Sequence, residues 1–272
     1  MDILLLTCID RPDRLYSDLD RACLLLRSLE RFLSPAEDWT IHVIAADREL
    51  AEIRDRLSQF RLNFRFLPHS DFIDEFPPDC GWKMQQFLKL LASRRIDAPF
   101  YLSIDSDHLL TRQLTPEDVV HDGRSVVTPE PVAHHAGWWK GSAEILGVNP
   151  LPEAGTGITI SCVAMATAIV RRLVDHLEET CGEAWSEMLI DRDDWVDYAL
   201  YYTYANGMGL AESSHEFGPL LGAGHSVWHP GQLEGWDVAG AFSGEHHFIC
   251  VQSNTNAPPS EILRRIEPYL NA

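Results

Sequence analysis

Two carboxylates one residue apart close the segment Tyr101-Leu102-Ser103-Ile104-Asp105-Ser106-Asp107-His108. The residues ahead of the pair suit a buried strand. At a strand end the alternation of side chains breaks, so Asp105 and Asp107 can converge on one ion. Hard oxygen ligands suit Mg2+ or Mn2+ and leave coordination positions for water and phosphate oxygens. Such an ion could bridge a diphosphate and neutralise the charge of a leaving group. Acidic chains hold many Asp-x-Asp triplets by chance, and a solvated turn is the plain alternative. The position of this one, after the fourth strand of an α/β series, favours metal binding.

Other residues could serve the same site. Gln85 and Lys89 are four apart and share a face of the helix that feeds the acidic strand, with Gln86 beside them. Lys89 could neutralise a phosphate or hold the acidic pair; a solvated helix face is the alternative. Asp47 follows the second strand and could accept from a ribose or a base, or cap the helix after it. In His134-His135-Ala136-Gly137-Trp138-Trp139-Lys140-Gly141, aromatic faces could pack on sugar rings, and the two glycines would let a loop move. Alternatively Trp138 and Trp139 plug the core beneath that loop. Asp191, Asp193, Asp194 and Asp197 surround Trp195. Asp197, or after it Asp194, could act as a general base, where the alternative is an acidic helix start that complements the dipole. Of the late histidines His225, His229, His246 and His247, His225 follows Gly222-Ala223-Gly224 and could swing in as a metal ligand. His225-x-x-x-His229 is the sole zinc-like spacing, and it is weak outside a helix.

The elements that must position these residues alternate through the first hundred positions. Apolar runs at 3–9, 40–46, 62–67 and 99–104 read as strands. Helical spacing covers 19–33, 48–60 and 82–95. This β-α series predicts a three-layer α/β/α fold around a mostly parallel sheet, with ligands beyond the carboxyl ends of the strands. Thr115-Pro116 reads as a helix start, with Thr as cap and Pro at the first position. Residues 125–128 and 158–164 read as strands. Helices are expected to Glu179, over 193–206 and over 260–270, and a last strand over 248–252. Residues 129–157, interrupted by Pro129, Pro131, Pro150 and Pro152, read as a long functional loop. No repeat or linker is evident. One domain is expected, its half to residue 110 binding a nucleotide and its half from 111 binding an acceptor.

The chain has 272 residues, and 22 Lys+Arg against 41 Asp+Glu give a formal charge of −19. That balance argues against nucleic-acid binding, which needs basic patches. Eight Trp, eleven Phe and seven Tyr argue against disorder. No apolar run reaches the roughly 20 residues of a membrane span. The start lacks a basic region ahead of its apolar run, so it reads as a buried strand and not as a signal peptide. Six cysteines without a Cys-x-x-Cys pair read as reduced core thiols of a cytoplasmic protein.

The strand series leading to "YLSIDSDHLL" resembles the GT-A fold of nucleotide-diphospho-sugar transferases with their DxD motif. "GWKMQQFLKL" (81–90), "DWVDYALYYTY" (194–204) and "HFICVQSNT" (247–255) resemble, more narrowly, a group of bacterial glycosyltransferase-like proteins. The resemblance implies a nucleotide-diphospho-sugar donor, a glycan or small-molecule acceptor, and Mn2+ or Mg2+ at Asp105 and Asp107. It places Thr7, Asp10 and Arg14 near the nucleotide and matches Asp197 to an acidic helix position. No third-ligand signature of the best-studied families is present. Two other functions compete. A haloacid-dehalogenase-type phosphatase also has an Asp-x-Asp after an apolar strand, but its nucleophile strand is normally the first. A non-catalytic nucleotide-sugar or glycan binder could use the same scaffold.

Overall fold

A computed structural model describes residues 1–9, 15–35, 38–73, 81–159, 161–182 and 185–271. Its first half runs β1 (Asp2–Leu6), α1 (Asp18–Phe32), β2 (Thr40–Ala45), α2 (Leu50–Leu57), β3 (Phe64–Pro68), α3 (Gly81–Leu91) and β4 (Phe100–Ile104). Each element follows from its local pattern. Ser17 caps α1 by accepting from the Leu19 N–H, and the helix then buries Leu19, Ala22, Cys23, Leu26 and Leu29 on one side. In β1 successive residues point to opposite faces. Ile3 and Leu5 join the core beneath α1 and α2, while Leu4 and Leu6 join the core beneath α3. A strand buried on both faces reads as an unbroken apolar run, which is the pattern of a parallel sheet covered by helices.

The second half runs β5 (His108–Leu110), α4 (Pro116–Val119), β6 (Val120–His121), β7 (Arg124–Val127), β8 (Pro129–Pro131), α5 (Ala136–Leu146), β9 (Thr156–Ile158) and β10 (Val163–Ala166). It continues with α6 (Thr167–Cys181), α7 (Trp185–Ile190), α8 (Asp197–Gly207), α9 (Ala211–Ser214), β11 (His215–Phe217), α10 (Val238–Ser243), β12 (Phe248–Cys250) and α11 (Pro259–Leu270). The central sheet has the order β10-β4-β1-β2-β3. All its pairings are parallel except that of β10 with β4. The fold is thus α/β with a mostly parallel central sheet. A third core, formed by Leu24, Ile249, Ile262 and Ile266 among others, seats β12 and α11 against α1.

The structure corrects several expected boundaries. Residues 129–157 are not one long loop, because α5 occupies 136–146 and ends on Gly147 in the left-handed region (φ 64°). Gly141 does not loosen a loop: a Cβ there would overlap the Asp194 carbonyl, so glycine lets α5 lie against that backbone. The stretch expected as one strand over 158–164 is two, β9 and β10, separated by Cys162 at φ 56°. The helix expected from Asp193 starts at Asp197. The α2 helix is shorter than expected, and Glu49 rather than Asp47 stands at its cap position. The start at Thr115 holds as a full capping box with Asp118. Asp122 and Gly123, both at positive φ, turn the β6–β7 hairpin as an Asp-Gly pair should. The described cysteines, Cys8, Cys23, Cys162, Cys181 and Cys250, are free thiols; Cys80 lies outside the described residues.

The buried His215 is expected to make stability depend on pH. His215 is buried, contacts the Tyr201 hydroxyl at 2.8 Å and the Ala211 carbonyl at 3.0 Å, and burial lowers its pKa from 6.5. A histidine lowered in the folded state binds fewer protons than in the unfolded chain. Its effect on stability is therefore nil above about pH 6.5 and unfavourable as pH falls below it. Denaturant midpoints measured between pH 7.5 and 5.5 are expected to fall less in His215→Gln than in the parent. An equal or larger fall in the variant would contradict this role.

Candidate active site

The carboxyl ends of β1, β2 and β4 lie side by side. The last paired positions are Leu5 with Ile104 and Leu6 with Ile44, so Thr7 and Asp105 leave the sheet at the same edge. The Thr7 N–H donates to the Ile44 carbonyl, and its hydroxyl is buried with no hydrogen-bond partner. Val163 sits opposite Ser103, which brings residues 161 and 162 to the same end. Ligands gather at such an edge because side chains from several strand ends converge there.

A buried charge cluster stands beneath this edge. Lys89 is 2% exposed, and its Nζ lies 2.7 Å from Asp105 Oδ1 and 4.0 Å from Asp197 Oδ2. The ammonium also stands 4.7 Å from the centre of the Tyr198 ring, a favourable cation–π distance. Tyr198 in turn donates from its hydroxyl to Ser103 on β4. Gln86 accepts from the Asp197 N–H at 3.2 Å and so ties α3 to the start of α8. Burial alone would lower the Lys89 pKa, but Asp105 and then Asp197 outweigh it and hold the ammonium well above its usual range. Asp197 is fully buried and neither carboxylate oxygen has a hydrogen bond. Burial, with Asp105 adding to it against the pull of Lys89, pushes its pKa up to about 7. Asp105 is the member that meets solvent, with a side chain 33% exposed.

Asp107 turns the other way. Its Oδ2 accepts from the Ser253 N–H at 2.9 Å, its Oδ1 lies 3.6 Å from Cys250 Sγ and 3.4 Å from His108 Nδ1, and its carbonyl accepts from the Val251 N–H. The two acids of the motif therefore address different walls: Asp105 faces α3 and α8, and Asp107 faces β12 and the residues after it. Asp107, His108 and Cys250 bring one ligand atom each to within 4.8 Å of one another, of donor types a divalent cation could use; Asp105 is not in that group, and its Oδ1 is the oxygen that pairs with Lys89.

The other expected site residues are dispersed. Asp10 and Arg14 lie outside the described residues. Asp47 binds the Ser70 hydroxyl and N–H, which hold its carboxyl below the usual range. Gln85 is half-buried, and its neighbour Gln86 is the one that reaches the cluster. Asp194 is clamped by two bonds from Arg192, at 2.8 and 2.6 Å. Asp194 is thus held by Arg192, and Asp197, fully buried, faces Lys89. His225 stacks on His246 at 4.9 Å and lines a groove of about 380 Å³ with Trp236 and Gln232. Among the described residues, no group of three candidate metal donors includes His225. Sequence reasoning missed His108, which directly follows Asp107, and it missed Cys250 and Ser253 because β12 and the residues after it meet Asp107 across more than a hundred residues of chain.

The two tryptophans separate. Trp138 stays partly exposed; it stacks on His135 at 4.7 Å, lies 6.3 Å from Trp82 and donates to the Asp193 carbonyl. Trp139 is 2% exposed and packs edge-on against Tyr202. A Cβ at Gly157 would approach its ring to 2.8 Å, so β9 needs glycine there. Trp139 is thus a core residue. Trp139→Ala is expected to cost about 3–5 kcal/mol by leaving a cavity. Equilibrium denaturation checks this, and a loss under about 1 kcal/mol would instead fit a mobile lid.

These features define a class by fold. Mouse xyloside xylosyltransferase 1, in its apo form, superposes with a TM-score of 0.55 at 13% identity, covering 95% of this chain and 100% of that one. The fold is therefore the GT-A-like α/β fold of such glycosyltransferases. Over residues 1–272 the sequence matches the family described as "Family of unknown function (DUF6492)", and the chain belongs to that family. No curated protein matches it. Among the described residues, no helix is long and apolar enough to cross a membrane.

Proposed function

We propose that this protein is a metal-dependent glycosyltransferase that moves a sugar from a nucleotide-diphospho-sugar to a glycan or small-molecule hydroxyl. The observation that carries the reading is the Lys89–Asp105–Asp197 cluster at the carboxyl edge of the parallel sheet, on a fold shared with a xylosyltransferase. Asp105 and Asp107 would hold Mn2+ or Mg2+, and the ion would supply charge neutralisation for the departing diphosphate. Lys89 is too buried to touch the donor. It fixes the Asp105 carboxylate, and Asp197 fixes Lys89, so both are positioning residues. Thr7, with Asp10 and Arg14, would flank the nucleotide. Trp138 with Trp82, which is 41% exposed on the first turn of α3, offers an aromatic face on which an acceptor sugar could stack.

Incubation with a panel of nucleotide-diphospho-sugars and Mn2+ tests this reading. Release of nucleoside diphosphate from at least one of them, abolished by chelator, is expected. No release from any, with or without added glycan acceptors, would contradict it.

A further inference from the structure

We propose that the groove lined by His225, Gln232, Trp236 and Asp237 binds a neutral saccharide, at a site separate from the strand-end acidic pair. The inference needs neither a nucleotide-sugar nor an ion, so it stands apart from the glycosyltransferase reading. The groove has a volume of about 380 Å³, within the roughly 300–1,000 Å³ usual for small-molecule sites. Its floor is tied to β12. The Val227 N–H donates to the Cys250 carbonyl at 2.8 Å, and Ser226 Oγ accepts from the Cys250 N–H at 2.9 Å. The next residue of the strand, Val251, turns its N–H to the Asp107 carbonyl, since successive strand residues bond to opposite edges. β12 therefore stands between the groove floor and Asp107.

Two glycines help to keep the groove open. Gly224 and Gly235 line it, neither has a left-handed φ, and a Cβ on either would meet no atom within 4 Å. Neither backbone conformation nor packing calls for glycine there. The polar groups are fixed from behind. Gln232 Oε1 accepts from the Trp228 and His229 N–H groups at 2.7 and 2.9 Å, which turns its amide nitrogen away from them as a donor. Asp237 Oδ1 accepts from the Gly240 N–H at 2.9 Å in capping α10, which leaves Oδ2 to accept. Trp236 Nε1 donates to the His225 carbonyl at 3.0 Å and locks the indole to the opposite rim. The groove thus offers an amide donor, a carboxylate acceptor, an imidazole and an indole, and no Lys or Arg is among its lining residues. A phosphate-bearing ligand would meet Asp237 with no cation to offset it. A sugar ring answers this set, because its hydroxyls both donate and accept and its C–H face packs on an aromatic ring. Groups held in place before binding lose little freedom when the ligand arrives.

The test is an NMR titration of the intact, ion-free protein with maltotriose, cellotriose, mannotriose, xylotriose and lactose, and with uridine for comparison. At least one saccharide is expected to shift the amides of Gly224, His225 and Trp236 and to saturate. Binding should weaken at least about tenfold in Gly235→Leu, whose side chain obstructs the groove, and persist in Trp138→Ala, which lies on another face. Trp236→Ala would also remove packing, so Gly235→Leu carries the comparison; its added Cβ meets no atom of the fold, and a melting curve matching the parent is expected. The map of shifted amides in the parent covers the case of a misfolded variant. No saccharide binding, shifts confined to another face, binding undiminished in a folded Gly235→Leu, or uridine bound as tightly as any saccharide would overturn the proposal. Its failure is distinct from that of the glycosyltransferase reading. Saccharide in the groove without nucleotide-sugar turnover sinks only the enzyme, and turnover without saccharide in the groove sinks only the groove.

Discussion

Lys89→Met is expected to lose about 3–5 kcal/mol of stability at pH 8.5, and much less at pH 5.5. The reason lies in what the ammonium leaves behind. Asp105 is partly exposed and can be solvated, but Asp197 is fully buried with neither oxygen hydrogen-bonded. A buried carboxylate without a cation takes up a proton rather than remain charged. In the parent, the Asp197 pKa is pushed from 3.8 to about 7, mainly by burial and against the pull of Lys89. A carboxyl raised in the folded state contributes stability that is complete below its unfolded pKa and is lost as pH rises through the folded one. That loss ends near pH 7 in the parent. Without Lys89 the folded pKa moves higher, so the variant keeps losing stability at pH values where the parent is level. Chemical denaturation at the two pH values checks the divergence. Adding Asp197→Asn to Lys89→Met should restore most of the loss at pH 8.5. A deficit independent of pH, or a double variant no better than the single, would mean that Lys89 matters only for packing.

Asp105→Asn should produce the opposite profile: a folded protein with turnover lowered on the order of 10²–10³-fold. The amide removes a negative charge from the solvent-facing member of the cluster. Lys89 is not orphaned, because Asp197 at 4.0 Å remains as its counter-charge and becomes the more acidic for it. The stability loss is therefore expected to be smaller than in Lys89→Met, while the group placed for an ion and a diphosphate is gone. Turnover of nucleotide-diphospho-sugar, read beside a melting curve, separates the two effects. Parent-like turnover in Asp105→Asn would remove Asp105 from the site.

The sheet was legible because period-2 and period-3.6 patterns are local. Ile3 and Leu5 against Leu4 and Leu6, or the spacing of Leu19, Ala22, Leu26 and Leu29, show their faces without knowledge of the rest. The strand-end position of Asp105 and the nearness of Lys89 followed from the same patterns, since α3 directly precedes β4. What stayed hidden depends on contacts between distant segments. The α5 helix carries two glycines and is flanked by prolines, so local propensity reads it as loop, and packing against Asp194 and Tyr202 overrides that reading. Cys250 and Ser253 gain their place beside Asp107 only when β12 pairs with β5. Gln86 reaches Asp197 while Gln85 does not, a difference of one helical position that only the docking of α8 on α3 decides.

The net charge of −19 sharpens the central question. A strongly acidic protein repels a nucleotide-diphospho-sugar at long range, so binding must depend on local positive charge. Lys89 is already spent on two carboxylates, so under the proposed function a divalent ion, with Arg14, would supply it. Calorimetric titration of the intact chain with a panel of nucleotide-diphospho-sugars, with and without Mn2+, tests this most directly. Saturable binding of at least one donor only in the presence of the ion, weakened in Asp105→Asn, is the predicted result. Binding of no donor under either condition, or equal binding with and without the ion, would contradict it.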